Sequence, residues 1–376
     1  MNGFTGAGNV VLTPASDTLT ISSASTLTGD LTIKTDTNTA FSVNAATSVR
    51  KFYVHAATNA VVTMTVGSGG SFKATSEAIV QHGVLKQGGN NVLGTTTKIS
   101  VENGGTFDIN GKTIRQETPI YIAGAGAGDW PWALATTSAA MASGNYLYNL
   151  YLNADATIGA GQFKFGQDNT ASKIKLNGHT LTAKSWVTFR NINTDSGAID
   201  LQPGNGTGIS LNQYNNLNTG SGYRGTTLIL RSDTELRVQN RGTYNFAVVD
   251  TLKWYGGTLI TDPNNTDRGF GVRVVLEGYG TTKYLKFLDG ARFKPDGTHY
   301  LTVTEKLSGT MIIDLGDIDL TTVKRIPLFK VGTADMLPAP EALQFVGGIP
   351  KGWELRTLKD GYGYVLVRRQ FMVIVR

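Results

Sequence analysis

The chain contains no cysteine among its 376 residues. This absence excludes disulfide bonds, thiolate zinc sites and cysteine nucleophiles, so packing and backbone hydrogen bonds must hold the fold together. Charged residues are also scarce, at 16% of the sequence, whereas a globular domain usually has roughly a quarter. Threonine, serine, asparagine and glycine are abundant instead, and these residue types favour strands and turns.

Long apolar runs, concentrated positive charge and catalytic motifs are missing as well. No run approaches the ~18 apolar residues that a membrane-spanning helix needs. The formal net charge of +6 is not gathered into a basic stripe with interleaved aromatics, so nucleic-acid binding is not predicted. The four histidines are scattered, and no Walker loop, dinucleotide fingerprint or Gly-x-Ser-x-Gly occurs. The sequence predicts no catalytic residue, metal or cofactor.

Short runs of alternating apolar and polar residues dominate the first part of the chain. They include residues 17–21, 30–33, 40–43 and 60–66, all rich in threonine, valine and isoleucine. Turn residues separate the runs at short intervals, which is typical of β-sandwiches and β-solenoids. The sequence therefore predicts an all-β protein.

One strand-turn-strand unit occurs twice. Phe-Asp-Ile-Asn-Gly-Lys-Thr-Ile at residues 107–114 returns as Ile-Lys-Leu-Asn-Gly-His-Thr-Leu at residues 174–181. Such a unit is too small to bury its own apolar face, and stacking similar units along one axis solves that problem. We expect the two copies to occupy equivalent positions in different coils. Their apolar residues should share one core, namely Phe107, Ile109, Ile174 and Leu176.

Paired glycines mark the same kind of module. Three pairs precede similar residues: Gly69-Gly70 before Ser-Phe, Gly104-Gly105 before Thr-Phe, and Gly256-Gly257 before Thr-Leu. Glycine suits tight corners between the faces of a β-coil, where a Cβ atom would clash with the adjoining coil. These patterns predict a right-handed parallel β-helix, or β-solenoid, with a C-terminal β-rich cap.

The domain organisation is predicted from changes in residue composition and strand pattern along the chain. Residues 1–300 are predicted to form the β-helix, with an excursion loop near residues 123–146 that includes a short helix over residues 133–142. Residues 301–376 are predicted to form the capping region, because the strands there are more apolar and a hairpin is expected over residues 353–367. Residues 371–375 are apolar, and they are expected either to continue the strand pairing or to form a terminal strand that joins copies of the chain into a homo-oligomer.

The repeat sequence resembles a known family. Gly-Gly-Thr-Phe-Asp-Ile-Asn-Gly-Lys-Thr-Ile at residues 104–114 is similar to repeats in passenger regions of bacterial autotransporters and in autotransporter-associated β-strand repeat proteins. The Ile-Pro-Lys-Gly-Trp-Glu-Leu sequence at residues 349–355 resembles their C-terminal closing module. The resemblance implies an extracellular or cell-surface β-helix of bacterial origin, acting as an adhesin or a structural stalk. Residues 1–6 do not read as a signal peptide, and we expect any such leader to have been removed.

Two other functions remain open. Parallel β-helices also include polysaccharide-degrading enzymes, and Asn193-Thr194-Asp195 matches a tripeptide of polygalacturonases, but the further aspartate pair and the Gly-His-Gly of that family are missing. Asp314, Asp317 and Asp319 are spaced for a calcium site, although their apolar neighbours favour a strand and turn. A phage tail or self-assembling fibre subunit is the third hypothesis.

Binding residues are expected in loops, since the faces of regular coils have short side chains. Trp130 and Trp132 in the excursion loop could stack on a sugar ring or fill a partner's pocket. The loop formed by residues 262–268 has convergent polar groups in Asp262, Asn264, Asp267 and Arg268. The expected partner is a glycan or a host or cell-surface protein.

Overall fold

The computed structural model describes residues 3–138, 141, 146–166, 172–190, 192–202, 208–212, 223–232, 234–239, 246–261, 269–287 and 291–369. The fold is 57% strand and 2% helix, and stacked parallel coils form a β-solenoid of about 10 turns. The all-β solenoid predicted from the sequence is confirmed. The chain divides into two compact units, residues 1–204 and residues 205–376.

Twenty strands lie in the described residues of the first unit: β1 (Thr5–Gly6), β2 (Val10–Leu12), β3 (Thr18–Ile21), β4 (Ser25–Leu27), β5 (Leu31–Thr35), β6 (Thr39–Val43), β7 (Ala46–Ala56), β8 (Val61–Val66), β9 (Ser71–Gln87), β10 (Ile99–Val101), β11 (Gly105–Asp108), β12 (Ile120–Gly124), β13 (Leu134–Ala135), β14 (Asn149–Gly159), β15 (Phe163–Phe165), β16 (Ser172–Lys175), β17 (Thr180–Ala183), β18 (Val187–Arg190), β19 (Ile192–Asn193) and β20 (Gly197–Leu201).

The second unit contains β21 (Gly208–Asn212), β22 (Tyr223–Arg231), β23 (Glu235–Gln239), β24 (Phe246–Thr261), β25 (Gly269–Phe287), β26 (Arg292–Lys294), β27 (Leu301–Ser308), β28 (Met311–Ile313), β29 (Arg325–Val331), β30 (Leu343–Phe345), β31 (Trp353–Thr357) and β32 (Gly363–Arg368). Two 3₁₀ turns, Ala334–Met336 and Pro340–Ala342, precede β30. Within the described residues, no helix is long and apolar enough to cross a membrane.

Three parallel ladders run through the first unit. Ladder A joins β2, β5, β7, β9, β10, β12, β14, β16 and β19. Ladder B joins β3, β6, β8, the end of β9, β11, β13, the end of β14, β17 and β20. Ladder C contains β1, β4 and the starts of β7 and β9, and further along the chain β15 and β18. Each coil therefore contributes successive strands to different ladders, with their apolar faces turned inward.

The core of the first unit is a column of inward side chains. Phe41 stacks on Phe52 of the neighbouring coil at 6.0 Å between ring centroids, and Phe52 meets Phe72 edge to face at 5.0 Å. Phe165 and Phe189 stack at 5.5 Å further along. Because these side chains are almost completely buried, burial of apolar area supplies the main stabilisation that disulfides would otherwise supplement.

The paired glycines lie at coil corners, as predicted. In each of the three pairs the first glycine has a positive φ, for example +93° at Gly104. The second glycine abuts the previous coil: a Cβ on Gly105 would lie 2.4 Å from the carbonyl oxygen of Val80, and one on Gly70 would lie 2.2 Å from that of Val43. Only glycine meets both requirements at these corners.

The two Asn-Gly units differ in ladder position, so the expected equivalence is wrong. Phe107 on β11 pairs with Leu134 in ladder B, whereas Ile174 on β16 pairs with Leu150 in ladder A. What they share is the turn, because Asn110 and Asn177 both have φ of 53°. Both asparagine side chains donate to a carbonyl oxygen of the preceding coil, Gln87 and Leu152 respectively. The expected burial of Phe107, Ile109, Ile174 and Leu176 is confirmed, at 0% exposure each.

The short helix expected over residues 133–142 is also wrong in its described part. Leu134 and Ala135 form β13, which lies between β11 and β14 in ladder B. The Phe107 N–H donates to the Ala133 carbonyl at 2.9 Å, and the Ala133 N–H donates to the Thr157 carbonyl at 2.8 Å. Hydrogen bonding to strands on both sides overrides the weak local helix preference of these small residues.

The second unit is also built of parallel ladders, and its last described strands form an antiparallel hairpin. One ladder joins β23, β24, β25, β27 and β29, and another joins β22, β24, β25, β26, β28 and β30. The last parallel pairing places Leu343–Phe345 against β28. Strand β32 then pairs antiparallel with β29, and β31 pairs antiparallel with β32. This hairpin is the predicted cap, because it covers the open edge of β29.

Candidate binding groove

The excursion loop leaves the coil after β12 and folds back over earlier coils. Its tip is fixed to the turn between β7 and β8: the Asn59 Nδ2 donates to the Asp129 carboxylate at 3.0 Å, and the Asp129 N–H donates to Asn59 Oδ1 at 3.0 Å. The loop therefore lies along the outer face of ladder B. The predicted excursion becomes one wall of a groove.

The base of the loop is fastened to β11. Thr106 Oγ1 donates to the Trp132 carbonyl at 2.8 Å and accepts from the Ala127 N–H at 3.1 Å. Both Thr106 and Ala127 are completely buried. The Thr106 hydroxyl therefore links the loop to the coil at both Ala127 and Trp132. These two hydrogen bonds hold the loop in a fixed position against the coil.

The buried carboxylate of Asp108 anchors the C-terminal side of the loop through hydrogen bonds. Asp108 is 0% exposed, and it accepts from the Thr137 N–H at 3.0 Å, the Thr137 hydroxyl at 2.5 Å and the Asn110 N–H at 2.8 Å. Its charge is balanced by Lys86, whose Nζ lies 3.7 Å away. A buried carboxylate needs such partners because desolvation of an unpaired charge is costly.

The two tryptophans have different environments. The Trp132 indole contacts the next coil at Gly159, where a Cβ atom would be 2.1 Å from Trp132 Nε1. Trp130 is half-buried and lines the groove. Among the described residues, none accepts a hydrogen bond from the Trp130 indole N–H. Trp132 is therefore a packing residue, whereas Trp130 has an aromatic face and an N–H donor for a ligand.

The groove has a volume of about 640 Å³. Its floor is an axial row of outward residues in register, since Ala40 pairs with Thr63 and Thr63 pairs with Lys86. Neighbouring rungs of a parallel ladder are ~4.8 Å apart, so the row crosses successive coils at that spacing. Asp17 and Asn38 are further lining residues, from the turns beside ladder B. A small, polar floor beneath an aromatic side chain suits a flat polar ring.

The polar groups of the groove are few and distinct. Asn38 Oδ1 accepts from the Val61 N–H at 2.9 Å, which fixes the amide and leaves its NH₂ group for other contacts. Lys86 Nζ lies 3.2 Å from the Thr137 hydroxyl as well as near Asp108. Among the described residues, Asp17 is the single carboxylate of the lining.

The other predicted candidates lie elsewhere. Asp262, Asn264, Asp267 and Arg268 are outside the described residues, as are residues 371–375. Asp195 Oδ1 accepts from the backbone N–H groups of Leu176 and Asn177, at 2.6 and 3.2 Å, so it supports the Asn-Gly turn. Asp319 accepts from Thr321 in a tight turn of its own. Over the described ranges, no three histidine, aspartate or glutamate side chains cluster in a way that could hold a metal ion.

The sequence predicted Trp130 as a candidate binding residue, and it did not predict the floor of the groove beside which Trp130 lies. Ala40, Thr63 and Lys86 are ordinary outward residues of alternating strands, and only the pairing register brings them into one row. In comparisons with known proteins, no protein-family model, curated protein or solved structure matches the chain.

Proposed function

We propose that this protein is a surface-exposed, non-catalytic β-solenoid that attaches to a polysaccharide through the groove at Trp130. The proposal places it outside the cell, as an adhesin of the kind that the resemblance to autotransporter passengers implies. Its surface composition suits that setting, since the chain has no cysteine and few charged residues. The observation that carries the proposal is the position of the Trp130 indole beside the axial row of Ala40, Thr63 and Lys86.

The chemistry of the groove favours a neutral sugar chain. Sugars present an apolar face that stacks on indole and hydroxyl groups that hydrogen-bond to amides and hydroxyls. The lining offers these groups through Trp130, Asn38 and Thr63. Lys86 is already close to Asp108, and Asp17 adds a negative charge. The groove therefore lacks the excess positive charge that an acidic polysaccharide would require.

The regular spacing of the floor residues supports a polysaccharide chain as the ligand. The floor residues recur at the ladder spacing of ~4.8 Å along the solenoid axis, which is close to the length of one hexose unit in an extended polysaccharide. Successive sugars could then meet successive rungs. Attachment to a repeating ligand also tolerates weak contacts, because several units along one chain can bind in turn.

A glycan array followed by titration tests the proposal. Wild-type protein should bind neutral polysaccharides in preference to polygalacturonate, and Trp130→Ala should lose that binding. Stacking on an aromatic residue contributes about 1 to 3 kcal/mol, so the expected loss of affinity is roughly tenfold or more. Trp186→Ala is the matched control, since Trp186 is a half-buried tryptophan outside the groove lining.

Two results would contradict the proposal. Equal glycan binding by wild type and Trp130→Ala, with both melting at the same temperature, would remove the groove from attachment. Release of reducing ends from a polysaccharide would show catalysis and favour the enzyme hypothesis. The melting temperatures also separate loss of binding from loss of fold.

A further inference from the structure

Strand β31 (Trp353–Thr357) has one open edge. It pairs with β32 on one side, and no described strand pairs with its other side. The Leu358 N–H donates to the Gly363 carbonyl and the Arg369 N–H donates to the Gly352 carbonyl. The backbone N–H and C=O groups of the even-numbered residues of β31 therefore point toward β32. Antiparallel strands alternate the direction of their backbone groups, and the N–H and C=O groups of Leu355 and Thr357 therefore point toward the open edge.

Exposed apolar side chains are concentrated in the C-terminal part of the described chain, and one of them, Ile349, lines the groove beside β31. Of four large hydrophobic residues with high exposure among the described residues, three lie in this part of the chain: Val346 at 48%, Ile349 at 43% and Tyr362 at 42%. A groove of about 1000 Å³ borders the strand, with Ile349, Trp353 and Leu355 in its lining. Isolated exposed apolar residues are ordinary, but an apolar groove beside an open strand edge is the arrangement expected of an interface.

The charges on β31 are symmetric about its centre. Glu354 precedes Leu355 and Arg356 follows it. If a second β31 pairs antiparallel across a two-fold axis at Leu355, Glu354 of each copy lies opposite Arg356 of the other. Leu355 then forms a hydrogen-bonded pair with its counterpart, as its outward backbone groups require. The Glu-Arg pairs fall at the non-hydrogen-bonded positions, where cross-strand side chains approach most closely.

Other registers are penalised by the same two charges. Outward backbone groups allow antiparallel registers that shift the centre to Glu354 or to Arg356. The first brings two glutamates face to face, and the second brings two arginines face to face. Like charges directly opposite one another destabilise a strand pair. Edge charges usually prevent pairing, but here they favour the register centred on Leu355 over the two neighbouring registers.

We propose that β31 is the interface of a homodimer, in which two copies of this chain pair their β31 edges antiparallel about Leu355. The interface is isologous, so each copy contributes the same surface. It joins the two β31–β32 hairpins into one continuous sheet and places the partner copy beside the groove that Ile349 lines. This proposal is independent of ligand binding in the Trp130 groove.

Charge reversal tests the register directly. Sedimentation of the full chain over a range of concentrations should show a dimer. Glu354→Arg and Arg356→Glu each turn two attractive cross-strand pairs into repulsive ones, and each should weaken the dimer by about tenfold or more. The double variant with both changes restores opposite charges across the axis and should recover the dimer. Lys359→Glu, in the neighbouring turn, changes charge outside the strand and should have no effect.

A second variant separates the interface from folding. Glu354 also contacts Arg356 and Arg369 within the chain, so the reversals could change stability. Thr357→Pro removes a backbone donor from the open edge and leaves the pairing with β32 intact, because proline is tolerated on an edge strand when its nitrogen faces outward. It should give a folded monomer. A wild type that stays monomeric, a dimer insensitive to these variants, or a double variant that fails to recover would overturn the proposal.

Discussion

Asn59 and Asp129 are joined by two hydrogen bonds of 3.0 Å, one from the Asn59 amide and one from the Asp129 backbone. They fix the tip of the excursion loop to a turn of an earlier coil. Trp130 is the next residue after Asp129, so its indole is placed beside the groove floor by a contact that lies outside the groove lining. Asn59 is therefore a positioning residue for Trp130.

Removal of this contact should weaken attachment more than stability. Asn59→Ala deletes both hydrogen bonds at an exposed site. A typical hydrogen bond contributes about 1 kcal/mol, or roughly fivefold in affinity, if it holds the binding conformation. We expect such a loss in glycan titrations and faster hydrogen exchange in the loop, with an almost unchanged melting temperature. Asn9→Ala is the control, since it removes a comparable bond to the Asp30 N–H outside the loop. Equal affinity in both variants would contradict the positioning role.

The contact between Trp132 and Gly159 should govern how the loop packs. Gly159→Ala places a Cβ within 2.1 Å of the Trp132 indole nitrogen, and overpacking of this kind costs about 1 to 3 kcal/mol. Denaturant unfolding should show that loss. The double variant with Trp132→Ala should be more stable than the sum of the single changes predicts, because the clash disappears with the indole. Gly8→Ala has open space around it and serves as the control.

The repeat shows how far the sequence could predict the fold. Alternation and the Asn-Gly dipeptide correctly predicted buried apolar residues and a tight turn in both copies. They did not predict the ladder, because a turn with the same conformation occurs after β11 in ladder B and after β16 in ladder A. The ladder that a strand joins depends on the number of residues in each preceding coil. The coil from Ile120 to Leu150 is longer than the one from Ile99 to Ile120, and the sequence does not show that count.

The site was less predictable for a related reason. Trp130 was identifiable because tryptophans in a loop without strand alternation are unusual. Asp17, Thr63 and Lys86 come from coils far apart in sequence, and their shared surface exists only through the register of ladder B. No local pattern marks such residues. The same holds for Asn59, whose role depends on a loop seventy positions later.

The buried carboxylate of Asp108 should be essential for stability. Asp108→Ala leaves the Thr137 N–H, the Asn110 N–H and the Lys86 ammonium without their acceptor. Leaving buried donors without their acceptor costs about 1 to 3 kcal/mol, and urea unfolding should show a loss of that size. Asp36→Ala, at an exposed position where the side chain forms no hydrogen bond or ion pair with the described residues, should change stability by less than about 0.5 kcal/mol. Similar stability of both variants would contradict the role of Asp108.

Glu77 should make stability depend on pH. Burial tends to raise the pKa of Glu77, but hydrogen bonds from Ser100 and Lys98 and the charges of Lys98 and Lys51 together hold this pKa below its ordinary value. The carboxylate therefore stabilises the fold above its unfolded-state pKa of about 4.3. This stabilisation is lost as the pH falls through the lower folded-state pKa.

Glu77→Gln measures that contribution. The variant should be less stable than wild type at neutral pH, and the two should converge in acid below the folded-state pKa, as followed by urea unfolding across that range. Glu102→Gln is the matched control, because Glu102 is exposed and forms no ion pair among the described residues. A stability difference that persists unchanged in acid would show that the carboxylate charge is not its cause.

The C-terminal hairpin should protect the end of the second unit. Strand β32 covers the otherwise open edge of β29, and Trp353, Tyr364 and Leu366 are buried there. Deleting residues 352–376 would expose unpaired backbone groups together with an apolar surface, a combination that promotes edge-to-edge aggregation. We expect the truncated chain to aggregate and to melt at a lower temperature, as measured by light scattering during a thermal ramp.

A shorter deletion isolates the hairpin from the rest of the terminus. Removing residues 370–376 leaves β31 and β32 in place, so this variant should stay soluble and melt like wild type. The comparison assigns any aggregation to the loss of the β32–β29 pairing, since both variants lack the same terminal residues. If the longer deletion also remained soluble with an unchanged melting temperature, the edge of β29 would need no cover, and the hairpin would be free to serve mainly as the dimer surface.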